Sequence, residues 1–223
     1  MNFLSHYYFT QHKNDAYYTL GSVLPDLLRN HNAAWKPNPE KRTQKFKNDP
    51  HLNSLLRGWE LHLQVDKLFH SSSIFLAACS SLRKDLAPIF MRLPIRPFFL
   101  AHVGYELILD SLLIQNKEIE TEAFYQELAS CEPIIIQEFL SLSGIYKTDD
   151  FLTFLNSFIQ SKYLNSYTET KNIVYALDQI GKRVWVEPFN QEEKEQAILV
   201  FDSLKTSLNP TFMTIFKQIE NAL

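Results

Sequence analysis

Residues 52–70 read LNSLLRGWELHLQVDKLFH, and their apolar side chains recur at the spacing of one helix face. Leucine or tryptophan stands at positions 52, 55, 56, 59 and 63, a pattern that predicts an amphipathic α-helix. Within it, His62, Asp66 and His70 follow one another at four-residue steps. Because four residues return to nearly the same side of a helix, these polar side chains form a ladder on the predicted helix.

A second ladder lies in AHVGYELILD, residues 101–110, where His102, Glu106 and Asp110 are also four residues apart. The other residues of this segment are apolar nearly throughout, which predicts a buried helix. Burying imidazoles and carboxylates is costly unless they are paired or bind a metal. Both ladders are therefore candidate metal or proton-transfer sites. The alternative for each ladder is a satisfied structural network of hydrogen bonds and ion pairs.

Helical patterns extend over most of the chain and predict an all-α, single-domain multi-helix bundle over residues 1–223. Pro25 is expected to bend or end the second helix, because proline cannot donate to the preceding turn. The only β-like run is Val184-Trp185-Val186, which is too short to found a sheet. The predicted helices cover residues 2–12, 15–29, 52–70, 71–87, 97–116, 120–130, 133–143, 149–164, 168–184, 190–206 and 209–222.

The composition excludes several classes of protein. Net charge is −3, and the one basic cluster is KPNPEKRTQKFK at residues 36–47, so a nucleic-acid-binding protein is not indicated. The two cysteines form no CxxC pair, which argues against a zinc knuckle or a redox motif and favours a reducing compartment. No secretory leader is recognised at the N-terminus, and no run of about 18 apolar residues suggests a membrane span. The expected location is cytoplasmic, with no membrane partner.

A third candidate pair is His6 with Asp26. Taken alone, His6 is also explained as a core histidine and Asp26 as a helix cap. The sequence contains no GxSxG, P-loop, GxGxxG or HExxH motif, and no adjacent His-Asp dipeptide. Nucleophilic and nucleotide-binding chemistries are therefore not favoured by any motif.

Five segments together resemble the acyl carrier protein phosphodiesterase family, a divergent branch of the HD-type metal-dependent phosphohydrolases. MNFLSH at residues 1–6 is similar to the family's MNFLAH opening, and YELILDSLL at 105–113 to its LDVxxDHFL helix. The resemblance extends from residue 1 to about 185. The other segments that carry it are GSVLPDLLRN at 21–30, GWELHLQVDKLFHSS at 58–72 and NSYTETKNIVYALDQIGKRV at 165–184.

The resemblance implies an HD-phosphohydrolase-like helical fold and a divalent ion, with Mn²⁺ favoured and Mg²⁺, Fe²⁺ or Zn²⁺ as alternatives. It implies hydrolysis of the phosphodiester between 4′-phosphopantetheine and a serine of acyl carrier protein. Such an ion activates water and neutralises charge on the phosphoryl oxygens. The basic cluster at 36–47 would contact the acidic carrier protein. The metal or metal-shell residues implied are His6, Asp26, His62, Asp66 and Asp110.

The same resemblance assigns further catalytic roles. Glu106 stands where the family has an aspartate and would orient water or a ligand, and His102 would position a carboxylate. Arg183 or Arg29 would hold the phosphate. Asp26 is also expected to take part in catalysis.

The chain departs from the family's pattern at several positions. Leu63 replaces an arginine, Ser111 replaces a histidine, an aspartate is missing near Leu68 and Phe69, and His102 is additional. These changes concern the substrate more than the fold. Two alternatives therefore stand beside the phosphodiesterase: a non-catalytic helical interaction module, and another metal-dependent helical-bundle hydrolase built on His102, Glu106 and Asp110.

Overall fold

The computed structural model describes residues 1–93, 96–182 and 187–223, and all regular secondary structure in these residues is helical. The all-α prediction is confirmed. Arg183, Pro94 and the run Val184-Trp185-Val186 lie outside the described residues.

The described residues form two compact units. The first comprises residues 1–66 and 119–164, and the second residues 67–118 and 165–223. The prediction of a single domain over 1–223 stays a prediction. The third helix contributes residues to both ranges.

The helices of the first unit begin and end close to the predicted positions. They are α1 (Phe3–Tyr8), α2 (Ala16–His31), most of α3 (Pro50–Ser71), α6 (Thr121–Ser130), α7 (Pro133–Leu142) and α8 (Asp149–Ser161). The segment between α2 and α3 contains two short 3-10 helices, Pro39–Lys41 and Thr43–Lys45. Helix α1 is shorter than expected.

Asp15 caps the start of α2, because its side chain accepts a hydrogen bond from the backbone nitrogen of Tyr18 at 3.1 Å. Of the two effects expected of Pro25, a bend or an end of the helix, the end does not occur, since α2 continues through Pro25 to His31. The missing hydrogen bond is offset by burial of the leucines on either side, Leu24 and Leu27, which are inaccessible to solvent.

Helices α2 and α3 meet at two glycines. A Cβ atom on Gly21 would overlap with the carbonyl oxygen of Leu55, and one on Gly58 would overlap with the carbonyl oxygen of Tyr18. The two backbones can approach this closely only because neither position carries a side chain. This contact fixes the register of α2 along α3. It therefore also fixes the position of Ser22 relative to the turn of α3 that carries His62.

The second unit is built around α5 (Pro97–Gln115). This helix has buried residues on nearly all of its sides, as predicted. By length and composition alone α5 could cross a membrane, but most of its residues are buried within the unit, as in a core helix. Ser72 caps α4 by accepting from the backbone nitrogen of Phe75. The other helices of this unit are α4 (Ser73–Leu86), α9 (Thr170–Gly181), α10 (Gln191–Leu208) and α11 (Met213–Glu220), together with most of a 3-10 helix at Tyr163–Thr168.

The glycine contact gives a direct prediction for stability. Replacing Gly58 with alanine will lower the free energy of unfolding by about 3 kcal/mol, because the new methyl group meets backbone atoms that cannot move independently. Urea unfolding followed by circular dichroism measures the change. Glu60→Ala, at an exposed position of the same helix, is the control and should leave the midpoint nearly unchanged. Equal stability of the two variants would contradict the proposed close contact.

Candidate metal centre

Three of the predicted metal residues meet in the first unit. His6 lies on α1, and His62 and Asp66 lie one turn apart on α3. The Nε2 atom of His6 is 3.3 Å from Oδ1 of Asp66, and Nε2 of His62 is 3.5 Å from Oδ2 of the same carboxylate. One ligand atom from each residue lies within 4.8 Å of the other two, a spacing that could hold a metal ion.

A backbone carbonyl sets the tautomer of His62. Its Nδ1 atom lies 2.8 Å from the carbonyl oxygen of Ser22 on α2. A carbonyl can only accept, so Nδ1 carries the proton and donates it to Ser22. In the neutral imidazole the lone pair is then on Nε2, the atom that faces Asp66. This is the arrangement in which a histidine binds a metal through one nitrogen and is oriented through the other.

His6 presents a buried nitrogen that lacks a hydrogen bond. The residue is 1% exposed, and its ring stacks on that of His62 with centroids 4.0 Å apart. Nε2 lies 3.3 Å from Oδ1 of Asp66 in a long ion-pair contact, and it makes no close hydrogen bond among the described residues. A buried polar atom of this kind is usually paired with an ordered water, a ligand or an ion.

The carboxylate of Asp66 supplies the negative charge of the cluster. Burial raises its pKa, but the neighbouring imidazole of His6 and the α-amino group of Met1 hold it well below its usual range. The α-amino nitrogen of Met1 lies 2.6 Å from Oδ1 and shows that this position attracts a positive group. The Asp66 side chain is 30% exposed, whereas both imidazoles are buried. Access to the cluster is therefore from the side of Asp66.

The donor set fits a divalent ion. Two imidazole nitrogens and one carboxylate oxygen suit Zn²⁺, Fe²⁺ or Mn²⁺ better than Mg²⁺, which prefers oxygen ligands. Asp66 is ionised and the lone pair of His62 is directed at the cluster, so two of the three ligands are already in the state that binding requires.

Asp26 lies on α2, one turn after Ser22, and is half-buried. It is not one of the three residues whose ligand atoms come together. Its predicted roles in metal binding and catalysis therefore stay predictions.

The remaining predicted site residues that the structure describes lie in the second unit. Nε2 of His102 is 3.0 Å from Oε1 of Glu106, so the expected contact between this histidine and a carboxylate is present. Asp110, one turn further along α5, is completely buried. Arg183 lies outside the described residues, and its role and that of Asp110 stay predictions.

Two features of these sites were missed by the sequence analysis. The ladder on α3 suggested that His70 would share a site with Asp66, but the structure places Nε2 of His70 3.1 Å from Glu106. The carbonyl of Ser22 was also missed, because a backbone acceptor leaves no signal in the side-chain pattern.

Comparison with known protein families gives one match over nearly the whole chain. The family model described as acyl carrier protein phosphodiesterase matches residues 1–219. Comparison with curated proteins and with solved structures gives no significant match.

The burial of His6 predicts how stability depends on pH. Burial, together with the nearby His62, lowers its pKa from 6.5 to about 3. Below pH 6.5 the unfolded chain therefore binds a proton that the folded chain does not. The free energy of unfolding should fall as pH falls from about 6.5 towards 3, by up to about 1.4 kcal/mol per pH unit for this one group.

His6→Gln removes this contribution and should reduce the slope of unfolding free energy against pH. The measurement is urea unfolding between about pH 6.5 and 4.5 in the presence of EDTA, above the range in which Asp66 takes up a proton. His12→Gln, at an exposed position, is the control and should keep the wild-type slope. An unchanged slope in His6→Gln would show that His6 is not a buried neutral imidazole.

Proposed function

The chain belongs to the acyl carrier protein phosphodiesterase family, and we propose that it is a metal-dependent hydrolase that releases 4′-phosphopantetheine from holo acyl carrier protein. The observation that carries the metal dependence is the meeting of His6, His62 and Asp66, with a buried nitrogen left without a hydrogen bond. A metal ion bound by these three residues would give that nitrogen a partner.

In this proposal the two Nε2 atoms and the carboxylate of Asp66 hold the ion. A divalent ion there would supply Lewis-acid stabilisation of the phosphoryl oxygens and lower the pKa of a nearby water. The protein's own contribution is positioning and charge. Ser22 orients the His62 ring, stacking orients the His6 ring, and ionised Asp66 attracts the cation.

Manganese is the ion expected from the resemblance and stays a prediction, as do the catalytic roles of Asp26, Glu106, His102 and Arg183. Cytoplasmic location and the lack of nucleic-acid or membrane partners also stay predictions. Arg29 lies near the end of α2 and is exposed, which is compatible with its proposed contact to phosphate.

The basic stretch at residues 36–47 supports the carrier-protein partner. Its cationic side chains Lys36, Lys41, Arg42, Lys45 and Lys47 are all exposed. The stretch is held in place by Phe46, which is fully buried, and by a hydrogen bond from the indole of Trp59 to Glu40. An ordered, exposed group of positive charges in the same unit as the candidate metal centre would attract an acidic partner and increase the rate of association.

The metal-dependent reaction is tested by Asp66→Asn. The variant keeps the size of the side chain but removes its charge, so it should lose the bound divalent ion and reduce phosphopantetheine release by at least about a thousandfold. Elemental analysis and a release assay on holo acyl carrier protein measure the two effects. Asp85→Asn, at an exposed position of α4, is the control and should keep both metal and activity. Full activity in Asp66→Asn would exclude the proposed role.

The partner is tested by charge reversal in the basic stretch. Lys41→Glu together with Lys45→Glu should raise KM for acyl carrier protein roughly tenfold at low salt and leave kcat nearly unchanged, because the changes affect association. The difference should shrink as salt is added. Lys84→Glu, at an exposed position outside the stretch, is the control and should keep the wild-type KM. If the doubly substituted protein also keeps that KM, the stretch does not contact the carrier protein.

A further inference from the structure

A second group of metal-competent side chains lies entirely within the second unit. His70 is in the last turn of α3, and His102 and Glu106 are one turn apart on α5. Both imidazoles direct Nε2 at the same atom, Oε1 of Glu106, at distances of 3.1 Å from His70 and 3.0 Å from His102. All three ligand atoms lie within 4.8 Å of one another.

These separations are those of ligands that share one ion. An ion held at about 2.0–2.1 Å from nitrogen and oxygen ligands separates neighbouring ligand atoms by roughly 3.0–3.4 Å, depending on coordination geometry. The two measured distances lie in this range. Only a small movement of the side chains would therefore be needed for binding.

Aromatic packing holds the two imidazoles in place. The ring of Phe75 contacts both edge to face, with centroids 5.2 Å from His70 and 5.0 Å from His102. Phe69 also contacts His70 at 5.1 Å. Rings restrained on two sides lose little further freedom when they bind a ligand, so the site is preorganised.

The exposure of the group differs from that of the cluster around Asp66. The side chains of His70 and His102 are 33% and 30% exposed, and that of Glu106 is 13% exposed. An ion bound here would be reached directly from solvent and would keep positions open for water or an anionic ligand. Closed structural sites, by contrast, take four protein ligands.

We propose that His70, His102 and Glu106 form a second metal-binding site, which takes a divalent transition ion of the Zn²⁺ class. Two borderline imidazole nitrogens and a single carboxylate favour such an ion over Mg²⁺ or Ca²⁺. The site is separate from the His6, His62 and Asp66 cluster in its ligands, and the proposal does not depend on the proposed phosphodiesterase activity.

The competing explanation is a hydrogen-bond network in which both imidazoles donate Nε2–H to Glu106. The substitution Glu106→Gln distinguishes the two explanations. Glutamine offers the same carbonyl oxygen as an acceptor, so a network survives, but it lacks the anionic charge that a metal ligand needs.

The experiment is titration of the purified full-length protein, stripped with EDTA, with Co²⁺ and then Zn²⁺. Co²⁺ reports its ligands by visible absorption, and calorimetry gives stoichiometry and affinity. Wild-type protein should bind two equivalents. Glu106→Gln should retain one and bind the other at least about a hundredfold more weakly, with an unchanged circular dichroism spectrum. Glu220→Gln, at an exposed position, is the control and should bind as the wild type does.

His102→Ala provides an independent second variant, since it should lose the same equivalent as Glu106→Gln. Asp66→Asn should lose the other equivalent and keep the Co²⁺ spectrum of the second site. If the wild type binds one equivalent that Glu106→Gln removes, the second site stands and the cluster around Asp66 fails. If Glu106→Gln and His102→Ala both keep the stoichiometry and Co²⁺ spectrum of the wild type, the proposed site is wrong.

Discussion

The close approach of α2 and α3 at Gly21 and Gly58 is the constraint on which the candidate metal centre depends. It brings the carbonyl of Ser22 to 2.8 Å from Nδ1 of His62, and this hydrogen bond determines which nitrogen of the ring is free. A helix carbonyl normally accepts from the amide four residues later, and here one also receives a side chain from a neighbouring helix. The backbone contact and the side-chain chemistry are therefore coupled: widening the helix contact would remove the acceptor that orients the imidazole.

Burial then decides the charge of each member of the cluster. Removing His6 from water favours its neutral form, so it contributes a lone pair at neutral pH. Burial alone would also neutralise Asp66, but the adjacent positive group and imidazole outweigh it and keep the carboxylate ionised. The result is one negative charge beside two neutral nitrogens. The α-amino group of Met1 pairs with that negative charge, and a divalent ion would bind the carboxylate and the two nitrogens together.

Much of the fold was predictable, because helix starts and apolar repeats depend on residues that are close together in the sequence. Asp15 and Ser72 both cap helices near the expected positions, and the nearly uniform apolar pattern of α5 correctly indicated burial. Pro25 does not end α2, one of the two outcomes that the local rule predicts, because that rule considers only the lost hydrogen bond and not the burial of Leu24 and Leu27. Among the site residues, His6, His62 and Asp66 do come together. The resemblance of their segments to a known family predicted this, whereas residue spacing alone could not place His6 beside the other two.

The assignment of His70 shows why a four-residue ladder does not define one site. Each step of four residues advances about 400° around an ideal helix, so successive members are displaced by roughly 40°. His62 and Asp66 differ by one step and can share an ion, whereas His62 and His70 differ by two steps and face directions about 80° apart. His70 is therefore free to meet Glu106 while Asp66 meets His6. Neighbouring members of a polar ladder on a long helix can bind one ion together. Which members share a site is determined by the residues that the other helices bring to them.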